Sequence, residues 1–323
     1  MKVGHLYNTQ SFKDMSEMIG GTFKGISFSD AYNGTVLERN LTQVDPKIFE
    51  KKYPELTFFN IGISSDNSGG AAKRVQSLRL LDHGQFVLSG EDTTNKGKIS
   101  LSGEDSDILV YDKTAFAEWT KSDVETAALQ NYSLTGRLMS AMDKQYKREI
   151  DEIGFTGIGA NDGLLNNSVF TSSAASGAVS GLTPQEIYDE IAGLITDQHN
   201  SVANTLEYMA DVVVMPTTVL NALQVTMLNT NASTSTVLAA LRSNFPGVNF
   251  VSSYRANDGG VGSVSATVAL KASEDTMKFR IPTPLEIGEI FRLGSFHWKV
   301  DARYRAAGLD ILEDTSGRIL TGL

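Results

Sequence analysis

The residues of this chain that could do chemistry are few and scattered. Its four histidines, His5, His83, His199 and His297, lie far apart, with no pair at the one-turn spacing that sets two imidazoles on one helix face to hold a metal. There is no cysteine, which excludes disulfides, thiolate zinc sites and cysteine nucleophiles. Glu91/Asp92 and Glu104/Asp105/Asp107 are carboxylate groups that a calcium ion would suit, but they lack the alternating ligand order and glycine of a calcium loop and read as solvated turns. No Gly-x-Ser-x-Gly elbow is present to raise a serine nucleophile. Gly154, Gly157, Gly159 and Gly163 form one glycine cluster; a pyrophosphate-binding loop needs its glycines between a strand and a helix, whereas these follow a helix at the wrong spacing. The expectation is a chain with no catalytic residues, no cofactor and no metal, which is not an enzyme.

Composition narrows the alternatives. At 323 residues, with 41% hydrophobic and 20% charged residues, the chain can bury a sizeable core divided between two domains. Its net charge of -10 argues against tight nucleic-acid binding, which uses a basic stripe, though not against a wall that merely encloses nucleic acid. The N-terminus has no apolar core of signal-peptide length, and the longest apolar run, around Val212–Met215, is far short of the roughly 20 residues that span a bilayer. The chain reads as cytosolic when made, with no membrane partner.

Residues 1 to about 45 are polar and glycine-dotted with spaced aromatics; they read either as a loosely ordered terminus or as an arm that lies on a neighbour with the aromatics as its anchors. Asp45–Pro54 reads as a short helix with Asp45 as N-cap and Pro46 at its first position, and Leu56–Ile63 as a strand. A long hairpin is expected over 73–117, its legs Lys73–Leu81 and Asp107–Phe116, with Ser89–Lys98 and Ser102–Asp107 as polar turns; so long a hairpin needs another surface to lie on. Leu134, Leu138, Met142, Tyr146, Ile150 and Ile153 make the clearest amphipathic helix. Asp143/Lys147, Lys147/Asp151 and Arg148/Glu152 lie at pairing distance on its other face, and Gly154 is its expected stop. A loop follows to Ser168. Thr183-Pro-Gln-Glu186 opens a second helix with a capping box, and Ile187, Ile191, Leu194 and Ile195 form its apolar face. Asp211–Met215 reads as a buried strand, Pro216–Leu223 and Ser235–Phe245 as helices, Val248–Val251 and Ser265–Leu270 as strands, and Asn257–Gly262 as a mobile loop.

The last quarter carries the strongest pattern. Phe279-Arg-Ile-Pro-Thr-Pro-Leu-Glu-Ile287 is a proline-broken extended segment, then comes a polar loop, and Phe296-His-Trp-Lys-Val-Asp-Ala-Arg-Tyr-Arg-Ala-Ala-Gly-Leu309 reads as one long final strand. With Asp45–Pro54, the end of the long helix and Gly163-Leu-Leu-Asn-Asn167, this order of features resembles the major capsid proteins of tailed bacteriophages with the Hong Kong 97-type fold. The resemblance implies an α+β chain with an N-terminal arm and first peripheral elements at 1–67 and an extended hairpin loop at 68–115. It further implies a peripheral domain at 116–183 with a spine helix at 134–153, an axial domain at 184–281, and a peripheral loop with the returning C-terminal strand at 282–323. It also implies contacts between subunits through Phe12, Phe23, Phe28, Phe86, Glu91, Lys96, Lys98, Glu289 and Arg292, with Glu289 and Arg292 in the peripheral loop near a three-fold axis. The partners implied are further copies in hexamers and pentamers, portal and scaffolding proteins, a decoration protein, and packaged DNA held without sequence specificity, in a virion assembled in the host cytoplasm. Some relatives crosslink a loop lysine to an asparagine; Lys96 and Lys98 fit the first role, but the loop at 289–295 has no asparagine, so no crosslink is expected. An encapsulin-like compartment and a soluble α+β enzyme are the rival expectations.

Overall fold

The structure, a computed structural model, describes residues 56–84, 98–129, 132–202, 206–228 and 235–323, all within one unit, Pro54–Leu323. The N-terminal arm and the expected Asp45–Pro54 helix lie outside the described residues. Leu56–Ile63 is not the expected strand. Phe58–Ile61 form a single 3-10 turn closed by Gly62 at φ 92°. At three residues per turn this carries Phe58 and Ile61 into the same core, a burial that an extended chain would deny to one of them. Pairing begins at β1 (Ser64–Asp66).

β2 (Arg74–Gly84) and β3 (Ile99–Leu109) form the long hairpin, in register from Arg74 opposite Leu109 to Gly84 opposite Ile99. The return leg therefore starts well before Asp107, and Ser102–Asp107 is strand, not a turn. Its serines, glycine and acids have low strand propensity of their own; pairing with β2 holds them extended. β4 (Tyr111–Thr120) is a separate strand, and the chain changes sheets at Val110.

α1 (Lys121–Leu129) and α2 (Leu134–Thr156) follow. Ser133 caps α2, which runs past the expected stop to Gly157, a residue at φ 85°. Gly154 lies inside the helix, and its missing side chain admits Phe58: a Cβ there would stand 2.4 Å from the Phe58 ring. Gly154→Ala is expected to cost about 1–3 kcal/mol through overpacking, seen as a lower thermal midpoint of the unassembled subunit; an unchanged midpoint would show that the ring can retreat. The apolar stripe of α2 is fully buried only from Ile150 onward, and Leu134, Leu138, Met142 and Tyr146 are half-covered. Of the expected charge pairs, Asp143–Lys147 forms at 2.7 Å; Asp151 is turned inward to Arg255, and Glu152 also pairs with Arg255.

Short β5 (Gly157–Ile158) and β6 (Asn161–Asp162) pair with each other, and β7 (Thr171–Ala174) precedes α3 (Pro184–Ser201). The Thr183–Glu186 capping box forms in full. β8 (Val212–Pro216), α4 (Thr217–Val225), α5 (Val237–Asn244), β9 (Asn249–Ser253) and β10 (Ala266–Leu270) come next. The loop between β9 and β10 is not wholly free: Gly259 and Gly260 are buried, and Gly259 approaches Leu165 too closely for any side chain. β11 (Met277–Arg280), β12 (Thr283–Ile287), β13 (Phe291–Gly294) and β14 (His297–Ala306) lead to β15 (Gly308–Ile311) and β16 (Gly317–Thr321). The expected single final strand is thus two, broken at Gly308 with φ 94°. β14 and β15 belong to different sheets.

Period-two alternation explains the two cores. The sheet ordered β7-β16-β10-β8-β9 is buried on both faces along β8 and β10. Val212, Val214, Val268, Leu270 and Ile319 face a core shared with Phe58, Ile150, Phe155 and Phe279. Val213, Met215, Ala269 and Leu320 face a second core built from α3, α4 and α5. β1, β11 and β15 form a small sheet, and β14 pairs with β4 along one edge and with β12 and β13 along the other.

Candidate assembly surfaces

Cross-strand partners of a hairpin share a face, so the β2–β3 register sorts its side chains into two sets. Val75, Ser77 and Arg79 on β2, with Ser106 and Ile108 on β3, turn toward the subunit. Leu78, Leu101 and Ile99 fall on the opposite face, where they are 65%, 68% and 59% exposed. Three large aliphatic side chains on one face of a strand pair, exposed among the described residues, make a candidate contact surface.

The inner face rests on a buried charge cluster. Arg280, at the end of β11, reaches Asp310 through Nε and Nη2, each at 3.1 Å, and also reaches Asp66 and the Ser77 hydroxyl. Asp310 is almost fully buried and accepts from Ser77 at 2.8 Å and Ser106 at 3.3 Å. Arg79 pairs with Glu313. The roots of the hairpin are held separately: Arg305 donates to Gly70 O (2.5 Å), Ala72 O (2.9 Å) and Asp112 (2.5 Å), and Asn161 donates to Leu109 O (2.7 Å) and Ala307 O (2.6 Å). Hydrogen bonds from Ser68 outweigh burial and, with the Arg280 charge, hold the Asp66 carboxyl below its usual range. A folded-state pKa below the unfolded value near 4 means that this stabilisation is complete above that value and fades as pH falls through it. The subunit's thermal midpoint is therefore expected to hold from neutral pH to about pH 5 and to drop below about pH 4. Asp66→Asn should flatten that drop, and an equal acid slope in the variant would assign the effect elsewhere.

The sheet around β14 has an outer and an inner face. Val300, Ala302, Tyr304 and Ala306 point inward and are buried. Tyr304 donates to Glu149 on α2 at 2.5 Å, and Lys113 approaches the same carboxylate at 3.7 Å. Burial would raise the Glu149 carboxyl, but the hydrogen bonds from Tyr304 and Gln145 and the Lys113 charge outweigh it and lower the pKa. Burial, then the Glu149 hydrogen bond and charge, push Tyr304 well above the usual phenol value, so it stays a neutral donor that staples helix to sheet. A groove of about 330 Å³ runs beside this staple, between α2 and the sheet, with Leu138, Met142, Tyr146 and Leu285 in its walls. Outward, Lys299 lies 4.5 Å from the centre of the exposed Phe116 ring and 5.8 Å from that of Phe291. The β12–β13 turn and the β13–β14 hairpin expose Ile290, Phe291, Leu293 and Phe296.

Of the contact residues expected from sequence, Phe12, Phe23, Phe28, Phe86, Glu91 and Lys96 lie outside the described residues. Lys98 is exposed just before β3. Glu289 is exposed in the β12–β13 turn, and Arg292 is exposed on β13, where its guanidinium donates to its own turn at Gly294 O (2.7 Å) and Ser295 O. Sequence reasoning missed Leu78, Ile99 and Leu101 because it placed the hairpin's return leg too late; the correct register is what puts them on one face. It also missed the apolar side chains around β13, beside which Glu289 and Arg292 are the minor features. Among the described residues no group of three or more His, Cys, Asp or Glu could hold a metal ion, and no helix is long and apolar enough to cross a membrane.

A hairpin and a neighbouring sheet that expose apolar side chains among the described residues suit a structural subunit that packs against others. A family model described as major capsid protein matches residues 90–322. The capsid of the Myoviridae phage XM1 is 40% identical, covering 90% of this chain and 99% of that one, with a TM-score of 0.81. The capsid of a native GTA particle is 12% identical, covering 90% and 98%, at TM-score 0.65, and Mycobacterium phage Ogopogo is 11% identical, covering 92% and 99%, at 0.60; these two show the fold alone. No curated protein matches the chain. The chain belongs to the major capsid protein family of tailed phages: it is a structural protein of the phage head shell, part of the virion, with the mixed α+β fold of such capsids.

Proposed function

We propose that copies of this chain assemble into pentamers and hexamers that close an icosahedral head around double-stranded DNA. The observation that carries this reading is the hairpin: its Leu78, Ile99 and Leu101 face has no cover among the described residues, and a neighbouring copy would supply it. In this reading residues 1–67 contribute an arm anchored on neighbours by Phe12, Phe23 and Phe28, and residues 68–115 are the extended loop, with Phe86, Glu91, Lys96 and Lys98 at or near its end. α2 is the spine helix of a peripheral domain at 116–183, the 184–281 segment is the axial domain around five-fold and six-fold axes, and 282–323 brings the tip with Glu289 and Arg292 to a three-fold axis. Many weak contacts sum to a closed shell through multivalency. The net charge of -10 suits a wall that encloses DNA without reading its sequence. Portal, scaffolding and decoration proteins complete the head, assembly takes place in the host cytoplasm, and no Lys–Asn crosslink forms.

The test is electron microscopy of the purified protein across a size-exclusion profile. Rings or closed shells in the earliest fractions, with DNA inside shells from infected cells, are the expected result. A uniform small oligomer in every buffer would overturn the assembly reading, and shells filled with an enzyme instead of nucleic acid would overturn the genome-container reading.

A further inference from the structure

We propose that residues 25–29 of an N-terminal arm add as a strand to the free edge of β4 and seat Ile26 and Phe28 in the groove between α2 and the sheet of β14. β4 pairs with β14 along one side, and no strand among the described residues pairs with its other side. Every second backbone N–H and C=O along that side is therefore open to an added strand. Residues 113–117 all line the groove, so β4 meets it with a backbone edge as well as a face. On the face that looks toward α2, Ala115 and Ala117 stand beside Ala302 and Val300. The alanines are too short to cover the α2 stripe: Leu138, Met142 and Tyr146 stay half-covered, and Ala115 is itself exposed. The volume left between them falls in the range of sites that hold apolar groups.

An added strand lays alternate side chains into this groove and turns the others to water. Its occupant must carry large apolar residues two apart with a small or polar one between. Two pairs within residues 1–55 meet that pattern, Met1 with Val3 and Ile26 with Phe28. Only the second is flanked on both sides by small residues, Gly25, Ser27 and Ser29, which let a backbone approach the edge closely. The described chain begins beside α2, where the Asp151 carboxylate accepts from the Thr57 amide at 2.8 Å. From Phe28 to Thr57 the chain reaches up to roughly 100 Å when extended, enough for a groove on its own copy or an adjoining one. Supply of the arm by a neighbouring copy rests on the shell reading above; the seat itself does not.

Two measurements on the full chain test it. In the first, Phe28 is replaced by the photo-crosslinker p-benzoylphenylalanine, and every fraction of a size-exclusion profile is irradiated. Adducts mapped by mass spectrometry are expected on residues 113–117 and at Met142. Ala115→Trp, made at an exposed position, fills the groove and is expected to cut those adducts about tenfold with the thermal midpoint unchanged. In the second, Ile26→Ser with Phe28→Ser is expected to speed hydrogen exchange about tenfold at the β4 amides of the free edge, while the β4 amides bonded to β14 keep their rates. Adducts that map elsewhere, or free-edge amides that exchange equally fast with and without the two side chains, overturn the seat. Acceleration of both sets of amides together overturns the added strand. Absence of shells from the unaltered chain would count against the shell reading alone, because adducts and exchange are read in any fraction.

Discussion

Replacing Leu78, Ile99 and Leu101 together by serine is expected to leave the subunit folded and to abolish shell formation. All three side chains are more than half exposed, so removing them forfeits little packing within the subunit; surface changes of this kind shift stability by about 0.5 kcal/mol or less each. Across an interface the same side chains bury aliphatic area at roughly 25 cal/mol per Å², or about 1.5–3 kcal/mol for each one fully covered. Every copy in a shell repeats that loss, and a closed shell depends on many such contacts at once. Circular dichroism and thermal melting check the fold, and sedimentation checks assembly. A triple variant that unfolds would place the hairpin in the subunit's own core. One that forms shells at the normal yield would show that this face is not a contact.

Asp151→Ala is expected to cost about 3–5 kcal/mol, a large share of a typical domain's 5–15 kcal/mol. Asp151 is wholly buried on α2, and it accepts from the Thr57 amide at 2.8 Å, the Phe58 amide at 3.0 Å and Arg255 Nε at 3.0 Å. Alanine strands two backbone donors and leaves Arg255, itself mostly covered, with the Arg148 carbonyl and Glu152. The carboxylate therefore pins the turn that carries Phe58 into the first core, and it ties α2 to the segment after β9. Asp151→Asn keeps one acceptor and should lose less, about 1–3 kcal/mol. Urea unfolding of the subunit reads both, as a lower midpoint at constant slope. A loss under about 1 kcal/mol for alanine would mean that water enters and replaces the carboxylate.

Asp151 also shows where local pattern stops being informative. At helix spacing from Lys147 it belongs to a solvent-side ion pair, and nothing within a few residues says otherwise. Its true partners are separated from it by 94, 93 and 104 positions. Gly154 is similar. As a glycine near the end of an amphipathic stripe it reads as a stop, yet it is needed because a phenylalanine from 96 residues earlier fills its place. The hairpin's return leg was misplaced for the same reason: Ser102–Asp107 carries turn chemistry and becomes strand because β2 lies beside it.

Signals that act within one turn or along one strand were legible. The α3 capping box, the extent of α2 to within a turn, the doubly buried run at β8, and the helices at α4 and α5 all follow from caps, period and apolar runs. The resemblance in the order of features pointed to the family that the comparisons establish. What needed the folded chain were the faces: which side of the hairpin is uncovered, which carboxylates are buried, and where β14 gives way to β15. Period and capping are set by neighbours in sequence, whereas exposure and charge burial depend on residues brought together from distant parts of the chain, and the surfaces proposed for assembly are made of the latter.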